Sequence, residues 1–211
     1  MARIDAPMLD SLDITFFHQL IFDTPSLPQF ISRTSNFKAH HEACVAVSDS
    51  SVRIAPLRPF VRGFRVDLEI SCRQSDWQLS SLAQVCRSSF PYTFITSLEN
   101  LYIHEDEYPR LRWQNATENA QWLELLHPFA AVKNLYLCKE FTPRIAPVLQ
   151  ELVEERVVEI LPALQGLFLE EVNPARPVQE AIGQFVAARQ LSGHPIAVAQ
   201  WDKDEWWKVD D

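Results

Sequence analysis

Three segments of the chain nearly repeat one another: Ser97-Leu98-Glu99-Asn100-Leu101-Tyr102-Ile103, Ala131-Val132-Lys133-Asn134-Leu135-Tyr136-Leu137 and Ala163-Leu164-Gln165-Gly166-Leu167-Phe168-Leu169. Each carries an apolar residue, two variable residues, Leu, an aromatic residue, then Leu or Ile. The opening positions Leu98, Val132 and Leu164 are 34 (132 − 98) and 32 (164 − 132) residues apart. Leu-aromatic-Leu alternation has the period of a β-strand, whose successive side chains face opposite ways. A unit this short cannot bury its own apolar face. Its recurrence at a near-fixed period therefore requires neighbouring copies to stack and share a core.

The intervening sequence switches to helical spacing. Trp77, Leu79, Leu82, Val85 and Cys86 predict a helix that opens at Ser75 or Asp76 and ends by Pro91. A second helix is predicted over 116–126. A third covers 143–161, between Thr142-Pro143 and Pro162, with Pro147 tolerated near its start. A fourth covers 177–191, with Gly193 closing it. Pro195 to Ala199 reads as a last strand. Upstream, 9–16, 42–47, 52–54 and 64–70 read as strands, and 27–32 as one or two helical turns. Strands alternating with helices imply parallel strands joined by crossover helices. The predicted fold is α/β, a leucine-rich-repeat-like solenoid with parallel strands on the concave side and helices on the convex side. It is read as a single domain over 1–211. Repeats are irregular over about 1–95 and regular over about 96–200, and 201–211 form a Trp-rich tail.

Composition narrows the function classes. With 47% hydrophobic and 22% charged residues, the chain has material for a substantial core. A net charge of −9 argues against nucleic acid and anionic membrane as partners, since both select basic surfaces. No apolar run approaches the ~18–20 residues of a membrane span. The opening Met-Ala-Arg-Ile-Asp-Ala-Pro has no apolar signal segment, so the expectation is an intracellular protein, cytoplasmic or nuclear. The four glycines are at least ten residues apart, which is incompatible with a glycine-rich phosphate loop. Cys44, Cys72, Cys86 and Cys138 form no CxxC pair, and no metal or other cofactor is expected.

If the repeated Leu positions face the interior, the residues between them face the concave surface. The rows then read Ser11, Asp13, Thr15; Asn100, Tyr102, His104; Asn134, Tyr136, Cys138; and Gly166, Phe168, Glu170. Tyr102, Tyr136 and Phe168 would form an aromatic column. One reading makes this a protein-binding patch of Asp13, Asn100, Tyr102, His104, Asn134, Tyr136 and Phe168, because ordered aromatic residues lose little entropy on binding. The other has the column packing on itself or under the tail, which carries Trp201, Trp206 and Trp207 of the six tryptophans. Catalytic signals are weak. His40-His41-Glu42 has neither the alternate spacing of strand ligands nor the i, i+4 spacing of helix ligands. A His104–Cys138 pair across adjacent strands would lack an oxyanion hole. No catalytic residues are expected, and the chain is read as not an enzyme.

The segments Ser71-Cys72-Arg73-Gln74-Ser75-Asp76-Trp77-Gln78-Leu79 through Cys86, and Gln121-Trp122-Leu123-Glu124-Leu125-Leu126-His127-Pro128-Phe129 followed by Val132 to Leu137, resemble F-box-like proteins of mushroom-forming fungi (basidiomycetes). Ala163 to Glu170, Val178 to Ile182 and Phe185 to Pro195 continue the resemblance over nearly the whole chain. It implies the C-terminal, leucine-rich-repeat-like half of such a protein, the half that captures a substrate for a ubiquitin ligase. A Skp-type adaptor would bind only through a helical F-box. Leu27-Pro28 is a lone match to its opening, so no F-box is expected in this chain. The alternative is a stand-alone leucine-rich-repeat interaction scaffold with no ubiquitin role.

Overall fold

The computed structural model describes residues 11–17, 29, 41–48, 50–56, 65–71, 75–88, 92–105, 118–152, 154–170 and 174–203. Apart from the helical Gln29, the turns expected at 27–32 lie outside these residues, as do His40, Cys72, Trp206 and Trp207. Among the described residues eight strands form one sheet, not closed into a barrel. In chain order they are β1 (Ser11–Phe17), β2 (Glu42–Val47), β3 (Ser51–Pro56), β4 (Arg65–Ser71), β5 (Asn100–Glu105), β6 (Asn134–Leu137), β7 (Gly166–Leu169) and β8 (Ala197–Gln200). The described helices are α1 (Ser75–Ser88), α2 (Tyr92–Ser97), α3 (Glu118–Leu126), α4 (Thr142–Gln150) and α5 (Arg176–Leu191), with a 3₁₀ turn at Glu154–Val158. None is long and apolar enough to cross a membrane.

The strand order is β1-β4-β3-β2-β5-β6-β7-β8. From β2 through β5 to β8 every neighbour is parallel and follows in chain order, as the repeats require. Their register repeats through one hydrogen-bond pattern. The carbonyl of His41 accepts from the N–H groups of Glu99 and Asn100 (2.8 and 2.9 Å). Glu99 O accepts from Lys133 and Asn134 in the same way, and Lys133 O from Gln165 and Gly166. At the other end, Cys138, Glu170 and Trp201 donate to Ile103, Leu137 and Leu169. With Ala197 N donating to Gln165 O, β6, β7 and β8 are each pinned at both ends to the strand before them.

The first half departs from a simple repeat, because β3 runs antiparallel to both β2 and β4. The cause is a tight turn. Ser48 N–H donates to Ser51 O at 2.8 Å, and Ser48 Oγ accepts from the N–H groups of Ser50 and Ser51. A turn this short can join only antiparallel strands. The apolar-polar-apolar run Val52-Arg53-Ile54 reads the same in either direction, so its alternation carries no orientation. β1 then pairs in parallel with β4 at the far edge.

One face of the sheet carries the core. Val45, Leu101, Ile103, Leu135, Leu137, Leu167 and Leu169 pack against Leu82, Trp122, Ile145, Leu149 and Phe185 from the helices. Helices α1, α3, α4 and α5 pack side by side in that order. Trp122 meets Phe141 edge-on at 5.5 Å.

The helix expected over 143–161 ends at Gln150 and gives way to the 3₁₀ turn. The 3₁₀ turn and the bend that follows it present backbone carbonyls to the interior, and Arg189 supplies donors to several of them. Its side chain is fully buried. Nη1 donates to Val157 O (3.3 Å), Nη2 to Pro162 O (3.4 Å) and Leu164 O (2.7 Å), and Nε to His194 O (3.2 Å). Burial pulls the Arg189 pKa down. The end of α5 is closed by paired bonds, His194 N to Arg189 O and Gly193 N to Gln190 O, with Gly193 at φ 79°. This is a Schellman closure that needs a left-handed residue.

Arg189→Met should cost about 3 kcal/mol or more, since it leaves buried carbonyls without donors. Arg189→Lys, with no planar fork, should recover less than half of that loss. Urea denaturation checks both through the midpoint at constant slope.

Candidate functional site: the open face of the sheet

The face opposite the helices is built in rows, because the common register aligns equivalent positions. The first row runs Glu42, Asn100, Asn134, Gly166 and Ala197. Asn134 Nδ2 donates to Asn100 Oδ1 at 2.8 Å, and Asn100 Nδ2 donates to Glu42 Oε1 at 3.3 Å. The row closes on Gly166 for a steric reason. A Cβ there would lie 2.8 Å from Asn134 Oδ1 and 2.6 Å from Phe168 Cε2.

The second row runs Cys44, Tyr102, Tyr136, Phe168 and Ala199. Tyr102 and Tyr136 stack at 4.1 Å and 12°, and Tyr136 and Phe168 at 4.5 Å and 13°. Free aromatic pairs prefer offset or edge contacts, whereas strands ~4.8 Å apart impose near-parallel stacking. Trp201 supplies the edge contacts, 5.9 Å from Tyr102 and 5.6 Å from Tyr136. Its Nε1 donates to Leu137 O at 3.1 Å. Cys44, Tyr102 and Trp201 form a second small core, with Tyr136 and Phe168 packed against it. Burial pushes the Tyr136 hydroxyl pKa up, partly offset by its hydrogen bond with Tyr102.

The structure brings six of the seven expected site residues into this patch. Asn100, Asn134, Tyr136 and Phe168 are half-buried. Tyr102 and His104 are only 7% and 8% exposed. Asp13 is exposed but stands on the edge strand β1, four strand steps from β5, or roughly 19 Å. It belongs to a charged half of the same face. There Asp67, beside Asp13 in register, makes a two-pronged ion pair with Arg53, and Glu69 lies across from Arg53. The sequence reading of the patch left out Trp201 as a member of the rows. Its signal was available: counting from Ala197, Trp201 falls level with Glu170, Cys138 and His104.

The chemistry of the remaining groups is subdued. Burial, then the neighbouring Glu140 carboxylate, push the Cys138 thiol up to about 12. Burial pushes the Cys86 thiol up as well. A nucleophilic thiol needs the opposite shift. His104 Nδ1 lies 2.9 Å from the Glu105 carbonyl oxygen. Cys138 Sγ and the carboxylates of Glu140 and Glu170 gather within 4.8 Å of one another, the one donor trio among the described residues. A metal there would have to remove the high-pKa thiol proton and compete with the Lys139 N–H on Glu170 Oε2. Compared with models of known families, with curated proteins and with solved structures, the chain matches none.

Gly166→Ala should destabilise the protein by about 1–3 kcal/mol, because the added methyl presses into both rows. Near-UV circular dichroism should lose aromatic signal while the far-UV spectrum holds. Cys44, Cys86 and Cys138 should resist iodoacetamide at pH 8 in the native state and alkylate together on unfolding. Peptide mapping by mass spectrometry checks each site.

Proposed function

We propose that this chain is a protein-interaction domain of the leucine-rich-repeat type that binds a polypeptide across its open sheet face. We further propose that it serves as the substrate-recognition half of an F-box-type ubiquitin-ligase adaptor. The observation that carries the binding reading is the rim of Asn100, Asn134, Tyr136 and Phe168. These side chains are half-exposed yet already ordered by their rows. Anchors fixed before binding lose little further entropy on contact. Asn amides offer donor and acceptor groups suited to an extended backbone. The charged half, with exposed Asp13 and half-buried Glu69, favours a partner that is basic at that end. The repeat reading rests on the 32–34-residue spacing and on the sequential parallel strands β5 to β8. The ligase reading rests on the sequence resemblance alone.

A photo-cross-linker at Phe168 should capture the partner and identify it. Asn134→Arg combined with Phe168→Asp should then weaken binding of that partner at least tenfold. Arg156→Glu, on the 3₁₀ turn of the helical side, should leave it unchanged. Equal binding by the double variant overturns the open face as the site. If the partner is a ligase substrate, deleting the gene should lengthen its half-life at least twofold and lower its ubiquitination. An unchanged half-life with intact binding would favour the scaffold reading.

A further inference from the structure

The aromatic column stops one strand short of the sheet edge. Tyr102, Tyr136 and Phe168 share one register level on β5, β6 and β7, and Ala199 holds that level on β8. Tyr136 has a ring stacked on each side, at 4.1 and 4.5 Å. Among the described residues Phe168 has such a ring on its β6 side alone. On the β8 side its register neighbour offers a methyl group.

The footprint of the Phe168 ring can be read from Gly166. A Cβ there would meet Phe168 Cε2 at 2.6 Å and Cζ at 3.2 Å, so the ring leans back along β7 over position 166. It covers the levels of both 166 and 168, about 6.6 Å apart along the strand. The β8 residues at those two levels are Ala197 and Ala199, both exposed. Small side chains therefore face the whole length of the ring. Trp201, one level further on, carries its indole back to β6, where Nε1 donates to Leu137 O at 3.1 Å. The outcome is a slot beside Phe168 with two alanine methyls as its floor. Strands ~4.8 Å apart leave it the width of one stacked ring. At these two levels β6, β7 and β8 carry Asn134, Tyr136, Gly166, Phe168, Ala197 and Ala199, none of them charged. A neutral ring matches that lining. A guanidinium would lose water there without a carboxylate at either level to replace it.

We propose that Phe168, Ala197 and Ala199 form a subsite for an aromatic side chain of the bound polypeptide, stacked on Phe168 as the fourth ring of the column. The subsite rests on the open-face reading above and adds a requirement to it: the partner presents Phe, Tyr or Trp at the β8 end of the face. The receiving ring is already held on its other side by Tyr136, so little order is lost when the fourth ring arrives.

Alanine methyl resonances of the full chain report on the slot, because a ring laid over a methyl group shifts its proton signal upfield. Titration with N-acetyl-tyrosinamide should move Ala197 and Ala199 upfield, saturably and further than any other alanine. One stacked ring should give a dissociation constant of about 1–20 mM. N-acetyl-leucinamide and N-acetyl-argininamide should move both methyls far less. Ala199→Phe places a fourth ring from the chain itself and should weaken the Ala197 response at least tenfold. Ala199→Leu fills the same space should that variant fail to fold. Equal movement with the leucine probe, larger movement with the arginine probe, or none with the tyrosine probe overturns the subsite. The titration needs no partner, so the two readings fail separately. Unmoved methyls in a chain that still captures its partner through Phe168 overturn the subsite and leave the open-face reading standing. Saturable movement in a chain whose Asn134→Arg, Phe168→Asp variant binds the partner unchanged supports the ring site and overturns the open-face reading.

Discussion

The structure depends on one repeated backbone contact. The residue two positions before the repeat's Leu uses a single carbonyl to accept two N–H groups from the next strand, in turn from Glu99 and Asn100, from Lys133 and Asn134, and from Gln165 and Gly166. A parallel pair has no short turn to set its register, so something local must. Here the start of each strand from β5 on is fixed to its predecessor, and a matching bond fixes the ends of β6, β7 and β8. A slip by one residue would move every Leu from the core to the open face, so this pinning protects the hydrophobic term that supplies most of the stability.

Once register is common, side chains at equivalent positions must form columns ~4.8 Å apart, and the sequence has to tolerate that spacing. Asn tolerates it by passing one amide hydrogen bond to the next strand. Flat rings tolerate it by stacking. Where the asparagine row meets the Phe168 ring, only glycine fits, which accounts for Gly166 breaking the Asn-Leu-Tyr pattern. On the helical side the same regularity creates a difficulty at the last complete repeat. The 3₁₀ turn and the Pro162 corner present carbonyls to an apolar interior, and Leu161 sits there at φ 52°. One guanidinium answers several of these carbonyls at once, which no neutral side chain has the donors to do. Arg189 is thus a polar group buried because the chain bends, and its four backbone contacts leave little of its donor capacity for anything else.

What could be read in advance followed from periodicity, and what could not lacked a periodic signal. The strands from Asn100 onward and the helices at Ser75–Ser88, Glu118–Leu126 and Arg176–Leu191 fall close to their expected places, because Leu spacing distinguishes a period of two from one of 3.6. The orientation of β3 could not be read from Val52-Arg53-Ile54, although the Ser48–Ser51 turn beside it carried the information. The helix at Tyr92–Ser97 has no expectation in the sequence, because Pro91 reads as a stop for the helix before it, whereas proline also precedes helices. The carbonyls of Val157, Pro162 and Leu164 beyond the early end of α4 are met by Arg189, more than 20 residues away, a partner that no local pattern could reveal. The open-face residues were legible as a set. Their burial was not, since it depends on Trp201 folding over Tyr102 from the far end of the chain.

If the open face binds a partner as proposed, that burial decides how recognition there can work. At 7% exposure Tyr102 offers almost no area to any partner, and its ring and Trp201 pack against Tyr136. Four half-exposed residues cannot by themselves make the ~800 Å² per partner of a stable interface, which takes roughly 20–30 residues on each side. They suffice for the ordered centre of one, where a few well-held side chains carry most of the energy. The remaining area has to come from contiguous surface. Along the sheet that surface runs from the Asn and aromatic rows across β2 to Arg53, Asp67, Glu69 and Asp13, where neutral, ring-based contact changes to charge. A partner lying along the strand order would therefore meet an ordered neutral anchor first and an acidic end about 19 Å further on. Selection among partners would come from matching both at that separation.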